Sequence, residues 1–349
     1  MTWNTAGHEW AARLLQGHLA RGDVRHAYLF TGPSGVGRRT LAIQFAQALN
    51  CIQPPAPGDF CGICRACRQI GLMEHTDMTV LQAEKEGGVL KVESIREVQH
   101  TLSLLPYESH YRVALMLRFQ EANPNAQNAL LKTLEEAPAR VILLLTADSA
   151  ESLLPTIVSR CEVLRLRPMP LARLQEELEA RAASSDSPPG SEGSLGGGSS
   201  LGSEDARLLA HLSGGRLGYA MRLKDDPTRL EQRRAFIDDL VHMLGANRRE
   251  RFTYAESIAR DREALREAYQ VWLSFWRDLM LRSSSADLPL VNLDMEMEIE
   301  ALSGQVNLAT ARARIADLER GISRLDGNLN ARLLTEVLLL DWPRLEIGE

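Results

Sequence analysis

The sequence predicts an α/β fold: a parallel, doubly wound sheet in the first half of the chain, then a region of helices alone. Three observations predict it. Short apolar runs at 27–30, 78–83, 111–118 and 141–146, and an alternating one at 163–166, are spaced by stretches of helical periodicity. A sheet covered on both faces by crossover helices reads this way. The first run passes through a glycine-rich loop straight into a helix, and beyond Pro227 apolar residues recur only at helical spacing.

Each element follows from local pattern. His8 to Leu19 carries Trp10, Leu14, Leu15 and Leu19 as a helical stripe with a basic edge. Ala27–Phe30 is the first strand, and Arg38–Leu49 the helix after the loop. Met78–Ala83 is a strand, and Val92–Leu105, with Ile95, Val98, Leu102 and Leu105 on one face, is a helix stopped by Pro106. Tyr111–Arg118 is a buried strand. Pro124–Glu136 is a helix with proline near its start and Pro138 after its end. Val141–Thr146 and Val163–Leu166 are the last strands, with a short turn or helix at Pro155–Cys161 between them.

A helix from Leu171 to Ala183 leads into 184–204, rich in Ser, Gly and Pro, which is linker chemistry unable to build a core. From Asp205 the pattern is helical again, with a break at Gly214-Gly215. Helical stripes follow at Phe236, Leu240 and Leu244, then Tyr269, Trp272, Leu273, Trp276 and Leu279, and finally Leu333, Leu334, Val337, Leu338 and Leu339. Trp272, Phe275 and Trp276 fit either a core or a face turned to another subunit.

A chain of 349 residues suggests two or three domains. A net charge of −6 argues against a protein that coats nucleic acid by bulk electrostatics. The start shows no basic-then-apolar leader, and no apolar run approaches the ~18 residues needed to span a bilayer. A soluble, cytoplasmic protein with no membrane partner is expected.

Cys51, Cys61, Cys64 and Cys67 are spaced C-x9-C-x2-C-x2-C. In a chain without an export signal such a cluster points to metal, and four thiolates match a closed, structural zinc site with no open position for water. Gly62 eases the turn between two of them, and His75 is an outside candidate ligand that reads rather as a loop histidine.

Thr31 to Thr40 resembles the Walker A pattern G-x-x-x-x-G-K-S/T. Gly32 and Gly37 have the required separation, with Gly35 between them. Arg38 stands at the lysine position and Arg39 at the hydroxyl position, with Thr40 one residue late. The backbone of such a loop can cradle phosphate whatever its side chains are. Arginine is not a substitute for the compact lysine charge. It also has no lone pair for Mg²⁺. The loop is read as degenerate and inactive in hydrolysis, and whether ATP still binds it is left open.

His26–Phe30, the four-cysteine insertion, the run Asn128-Ala129-Leu130-Leu131-Lys132-Thr133-Leu134-Glu135-Glu136 and Thr156-Ile157-Val158-Ser159-Arg160-Cys161 together resemble bacterial clamp-loader subunits of the AAA+ class, the delta-prime kind above all. The resemblance implies an AAA+-like domain over 1–170 with its zinc module at 51–67. It further implies a small helical lid over 171–225 containing a disordered linker, and a helical collar over 226–349. In active members an acidic pair precedes N-A-L-L-K; here Leu117 and Arg118 stand there, with Glu121 offset as a solvated helix-entry charge. Thr146 matches the sensor-1 position, and the sensor-2 arginine falls at Gly218, with Arg216 displaced.

What the resemblance implies is therefore a non-hydrolysing stator subunit whose Arg160, with Ser159 in the same motif, reaches into a neighbour's ATP site. Cys161 would be a packing residue. The implied partners are gamma/tau ATPase subunits and the delta subunit, with the sliding clamp and primed DNA contacted through the complex. The competing readings are a gamma/tau-type ATPase and a zinc-dependent DNA-binding module.

Overall fold

A computed structural model of the chain describes residues 3–85, 87–184, 202–325 and 329–346. Most of the stretch expected as a linker, 185–201, lies outside the described residues. At its edges the chain is helical: Ser184 closes one helix and Ser203 opens the next, where the Ser203 hydroxyl donates to Glu179 at 2.8 Å. The chain divides into two compact units, Met1–Pro170 with Gly215–Tyr219, and Leu171–Gly214 with Ala220–Glu349.

The first unit holds the predicted sheet. Strands β1 (Ala27–Thr31), β2 (Met78–Leu81), β3 (Arg112–Met116), β4 (Val141–Ala147) and β5 (Glu162–Arg165) lie in the order β2-β3-β4-β1-β5. Every pairing is parallel. β1, β3 and β4 are buried throughout, so both faces of each strand must be apolar. Alternate residues feed two cores. Tyr28, Phe30, Leu115 and Leu144 form one with α1 (Glu9–Arg21) and α2 (Arg38–Asn50). Leu29, Ala114, Leu143 and Leu145 form the other with α4 (Val92–Leu102) and α5 (Pro124–Glu135). Between α2 and β2 the insertion adds α3 (Arg65–Leu72), and α6 (Pro155–Val158) precedes β5.

One buried carboxylate sets the entry to β3. Asp77 accepts backbone N–H bonds from Tyr107, Glu108 and Ser109 at 2.7, 2.9 and 3.0 Å, and faces Arg112 Nη2 at 3.1 Å. Burial alone would raise its pKa; the three N–H bonds and the guanidinium outweigh burial and hold it below the usual carboxylate range. Arg112 is itself buried and donates to the carbonyls of Thr101 and Leu105.

Among its described residues the second unit is built from helices and connecting loops, with no strand. Its elements are α7 (Leu171–Ser184), α8 (Ser203–Ser213), α10 (Pro227–Gly245), α11 (Arg248–Ile258), α12 (Arg262–Ser283), α13 (Glu296–Ser303), α14 (Leu308–Leu325) and α15 (Ala331–Leu340). α9 (Leu217–Asp225) begins in the first unit and ends in this one. Trp272, Phe275 and Trp276 are fully buried, which excludes the outward-facing reading for all three. Trp272 packs edge-on against Trp342 at 5.2 Å and donates its indole N–H to Phe236 O at 2.8 Å, so its polar atom is satisfied inside the core. Arg251 is buried too. Its guanidinium donates to the carbonyls of Met243, Leu339, Trp342 and Pro343, at the C-terminal ends of α10 and α15. A cation suits helix C-termini, where carbonyls carry partial negative charge. No helix among the described residues is long and apolar enough to cross a membrane.

Candidate functional site

The carboxyl ends of β1, β3 and β4 converge, as open parallel sheets require of a ligand crevice. At the end of β1, Gly32, Gly35 and Gly37 adopt φ of +145°, +83° and +112°. At Gly32 the need for glycine is absolute, because a Cβ would stand 2.4 Å from Leu166 O. The Gly32 N–H is shared between the carbonyls of Ala147 and Asp148 at 3.3 and 3.2 Å, which ties the loop to the end of β4. His8 sits on the loop from α1's side: its Nε2 donates to Val36 O at 2.9 Å.

The second turn of the site comes from Gly215–Tyr219. Gly218 N–H donates to Gly35 O at 2.9 Å, and a Cβ on Gly218 would meet that oxygen at the same 2.9 Å. Backbone thus packs directly on the loop where the sensor-2 arginine was expected. Arg216 reaches the loop, with Nη1 3.5 Å from Ser34 O, and its guanidinium covers the Tyr219 ring at 4.5 Å.

Arg38, the first residue of α2, is nearly buried, and its Nη1 lies 2.8 Å from Asp148 Oδ1. Arg39 and Thr40 are exposed, and Arg39 Nη2 lies 3.5 Å from the Met73 sulfur beside α3. The structure therefore gathers Gly32, Gly35, Gly37 and Arg38 around the loop and leaves Arg39 and Thr40 on its outer face. At the end of β3, Leu117 is buried in the apolar core. Arg118 has φ +50°, its N–H donates to Thr146 Oγ1 at 2.9 Å, and its Nε donates to Glu121 at 2.8 Å. Glu121 departs from the solvated charge expected of it. It also accepts Gly87 N–H at 2.9 Å, so its carboxylate is drawn inward and its side chain is 8% exposed.

Arg160 follows α6. Its Nη1 donates to Thr156 O at 2.9 Å and its Nη2 meets Glu135 Oε1 at 2.6 Å. The guanidinium remains on the surface, 35% exposed. Ser159 is exposed, its hydroxyl donating to Thr156 O at 3.2 Å. Cys161 faces inward, and burial pushes its thiol up to about 12, which leaves it inert as a nucleophile. Gln127, which sequence reasoning passed over, places α6. Its Nε2 donates to Ala122 O and its Oε1 accepts Leu154 N–H, both at 2.9 Å. Only the N-A-L-L-K run around it could have drawn attention to it.

The four cysteines come together. Their sulfurs all lie within 4.8 Å of one another, with Cys51 to Cys61 at 3.6 Å and Cys61 to Cys67 at 4.0 Å. A tetrahedron of thiolates at about 2.3 Å from zinc has edges of about 3.8 Å, so the group fits such an ion. Cys51 ends α2, and Cys64 caps α3, its sulfur accepting Cys67 N–H at 3.4 Å. Further N–H bonds run from Cys61 to Cys51 Sγ and from Cys64 to Cys61 Sγ at 3.2 and 3.3 Å. The Cys64 N–H pulls the Cys61 thiol down to about 6, while burial pushes Cys51 and Cys67 up. Gln47 Nε2 holds the module to α2 through Cys67 O at 2.8 Å. His75 stays out of the group: it is buried, accepts Asp77 N–H at 3.0 Å, and turns Nε2 toward Ser109 and Glu108.

A five-stranded parallel sheet with a glycine loop entering a helix at its carboxyl edge, followed by a helical region, defines a protein of the α/β class. Family models described as "DNA polymerase III, delta subunit" and "DNA polymerase III, delta subunit, C terminal" match residues 7–170 and 227–344. DNA polymerase III subunit delta' of Pseudomonas aeruginosa is 30% identical over 342 residues, covering 96% of this chain and 97% of that one. The delta' subunit of Bacillus subtilis is 25% identical over 332 residues, 94% of each chain. Subunit tau of Salmonella typhimurium is 32% identical over 176 residues, but these are 50% of this chain and 27% of tau. The chain belongs to the DNA polymerase III subunit delta' family.

Proposed function

We propose that this chain is the non-hydrolysing subunit of the replicative clamp loader and lends Arg160 to a neighbouring ATPase subunit while the sliding clamp is loaded on primed DNA. The observation that carries the reading is the asymmetry of the site. Arg160 stands on the surface with donors to spare, while Leu117 and Arg118 occupy the strand end where a carboxylate pair would hold Mg²⁺ and activate water. Support comes also from the full-length likeness to delta' subunits. A guanidinium beside a γ-phosphate neutralises charge that develops in the transition state, an effect of roughly 10³–10⁵ in rate.

The partners would be the gamma/tau ATPase subunits and the delta subunit, with DNA touched through phosphates alone. Residues 171–225 would act as a lid and 226–349 as the collar that assembles with the neighbours. Cys51, Cys61, Cys64 and Cys67 would hold zinc. With four thiolates the ion's contribution is to fold the module, not to activate water.

Likeness to tau over half the chain favours one rival, an ATPase in its own right. A single experiment separates the two. The purified chain should show no ATP turnover alone and should raise turnover when mixed with the ATPase subunit, delta, clamp and primed DNA. Turnover by the chain alone would overthrow the proposal.

A further inference from the structure

We propose that Asp148 is a built-in anion that stands where a phosphate would sit on Arg38, closing this chain's own loop to polyphosphate. The inference goes beyond the proposed role of Arg160 and does not depend on it. The loop keeps the backbone of an anion site: three glycines at positive φ lead into α2, whose first N–H groups have no intrahelical partner. Gly37 at the cap offers no side chain to them. A second observation points to an anion. Arg38 is 8% exposed, its Nη1 makes no hydrogen bond of good angle, and among the described residues the opposite charge paired with it is Asp148 Oδ1 at 2.8 Å. A guanidinium so placed must have an anion beside it.

The carboxylate is fastened to the loop it closes. Asp148 Oδ2 accepts Gln120 Nε2 at 3.0 Å, and the backbone carbonyl of Asp148 accepts Gly32 N–H at 3.2 Å. Its side chain is 48% exposed, so the negative charge lies between the buried cation and the solvent. A polyphosphate approaching Arg38 meets a like charge first, and Arg38 has already spent its attraction. Of the neighbouring cations, Arg118 is paired with Glu121, Arg39 lies outward against Met73, and Arg216, which reaches Ser34 O on the loop, has its guanidinium over the Tyr219 ring.

The test is calorimetric titration of the full chain with inorganic tripolyphosphate, and separately with ATP. Asp148→Asn keeps the shape and the acceptor for Gln120 but removes the charge. The wild-type chain should give no binding at millimolar ligand, and Asp148→Asn should bind tripolyphosphate at least tenfold more tightly. The double variant Arg38→Ala/Asp148→Asn should lose that binding. ATP binding tighter than tripolyphosphate would add a base contact to the same unmasked site. Asp148→Ser, checked for folding by its thermal transition, serves equally if the asparagine variant does not fold. Wild type binding tripolyphosphate as tightly as the variants, or folded variants that bind none, would overturn the proposal.

Discussion

The Arg160 guanidinium and the Glu135 carboxylate meet at 2.6 Å, joining the residue after the α6 turn to the last residue of α5. Both side chains are open to water, 35% and 51% exposed, so the pair contributes about 1 kcal/mol or less. A cation held so loosely can leave a single carboxylate for the denser charge of a triphosphate. Under the proposed role, Glu135 would hold Arg160 in the free chain until a neighbour's nucleotide outcompetes it.

Arg160→Ala should therefore leave stability within about 1 kcal/mol of wild type while lowering ATP turnover of the reconstituted assembly by roughly 10³. Arg160→Lys should not rescue it, because the forked, planar geometry is lost. Steady-state ATPase with primed DNA and clamp is the measurement. Turnover equal to wild type would remove Arg160 from the reaction.

Gln127 offers a test of how that arginine is presented. Gln127→Ala strands Ala122 O and Leu154 N–H, each partnered only by the amide side chain in the bonds described. The loss should be about 1–3 kcal/mol. Hydrogen exchange at Leu154 should accelerate, and assembly turnover should fall although Arg160 is intact. A Leu154 amide as protected as in wild type would show that α6 is placed by something else.

The sulfur group makes a prediction about metal. The purified chain should carry one zinc, and Cys64→Ser should lose it, since the substitution removes a thiolate ligand while its hydroxyl still serves as an acceptor for Cys67 N–H at the start of α3. Structural zinc supplies on the order of 10 kcal/mol in small sites, so amide protection should fall across 51–72 and stay unchanged in the helical unit. A native chain free of zinc by mass spectrometry would refute the assignment.

Asp77 fixes a direction for acid. Its folded pKa lies below the unfolded value of about 3.9, so its stabilisation is fully present above that pH and is lost as pH falls through the folded value. Asp77→Asn leaves Arg112 buried without its carboxylate and should cost about 3–5 kcal/mol at neutral pH. The gap between variant and wild type in urea melts should close on acidification below about pH 4. A gap that is constant down to pH 2 would mean that the carboxylate's charge is not what pins residues 107–109.

Much of this molecule is legible in local pattern. The five runs became five parallel strands, and the three central ones, β1, β3 and β4, are the most legible because burial on both faces leaves an unbroken apolar signature, whereas the edge strands β2 and β5 are only partly buried. The four cysteines and the glycines of the loop are likewise written in spacing over a few residues, where chain geometry itself brings them together. Side-chain partners across the fold carry no such mark. Glu121 looked solvated until Gly87 and Arg118 were seen to draw it inward, and Trp272 looked available to a neighbour until Trp342 closed over it.

By itself, then, the order of residues determined the sheet, the helical second half, the cysteine group and which residue types stand at the loop and at the Ser159–Cys161 motif. Tertiary structure alone decided what those residues meet: Asp148 for Arg38, Glu135 for Arg160, and bare backbone at Gly218 against Gly35. The reason is that periodicity and spacing act within one element, whereas a charge finds its partner only when separate strand ends and helices have been packed to the same edge of the sheet.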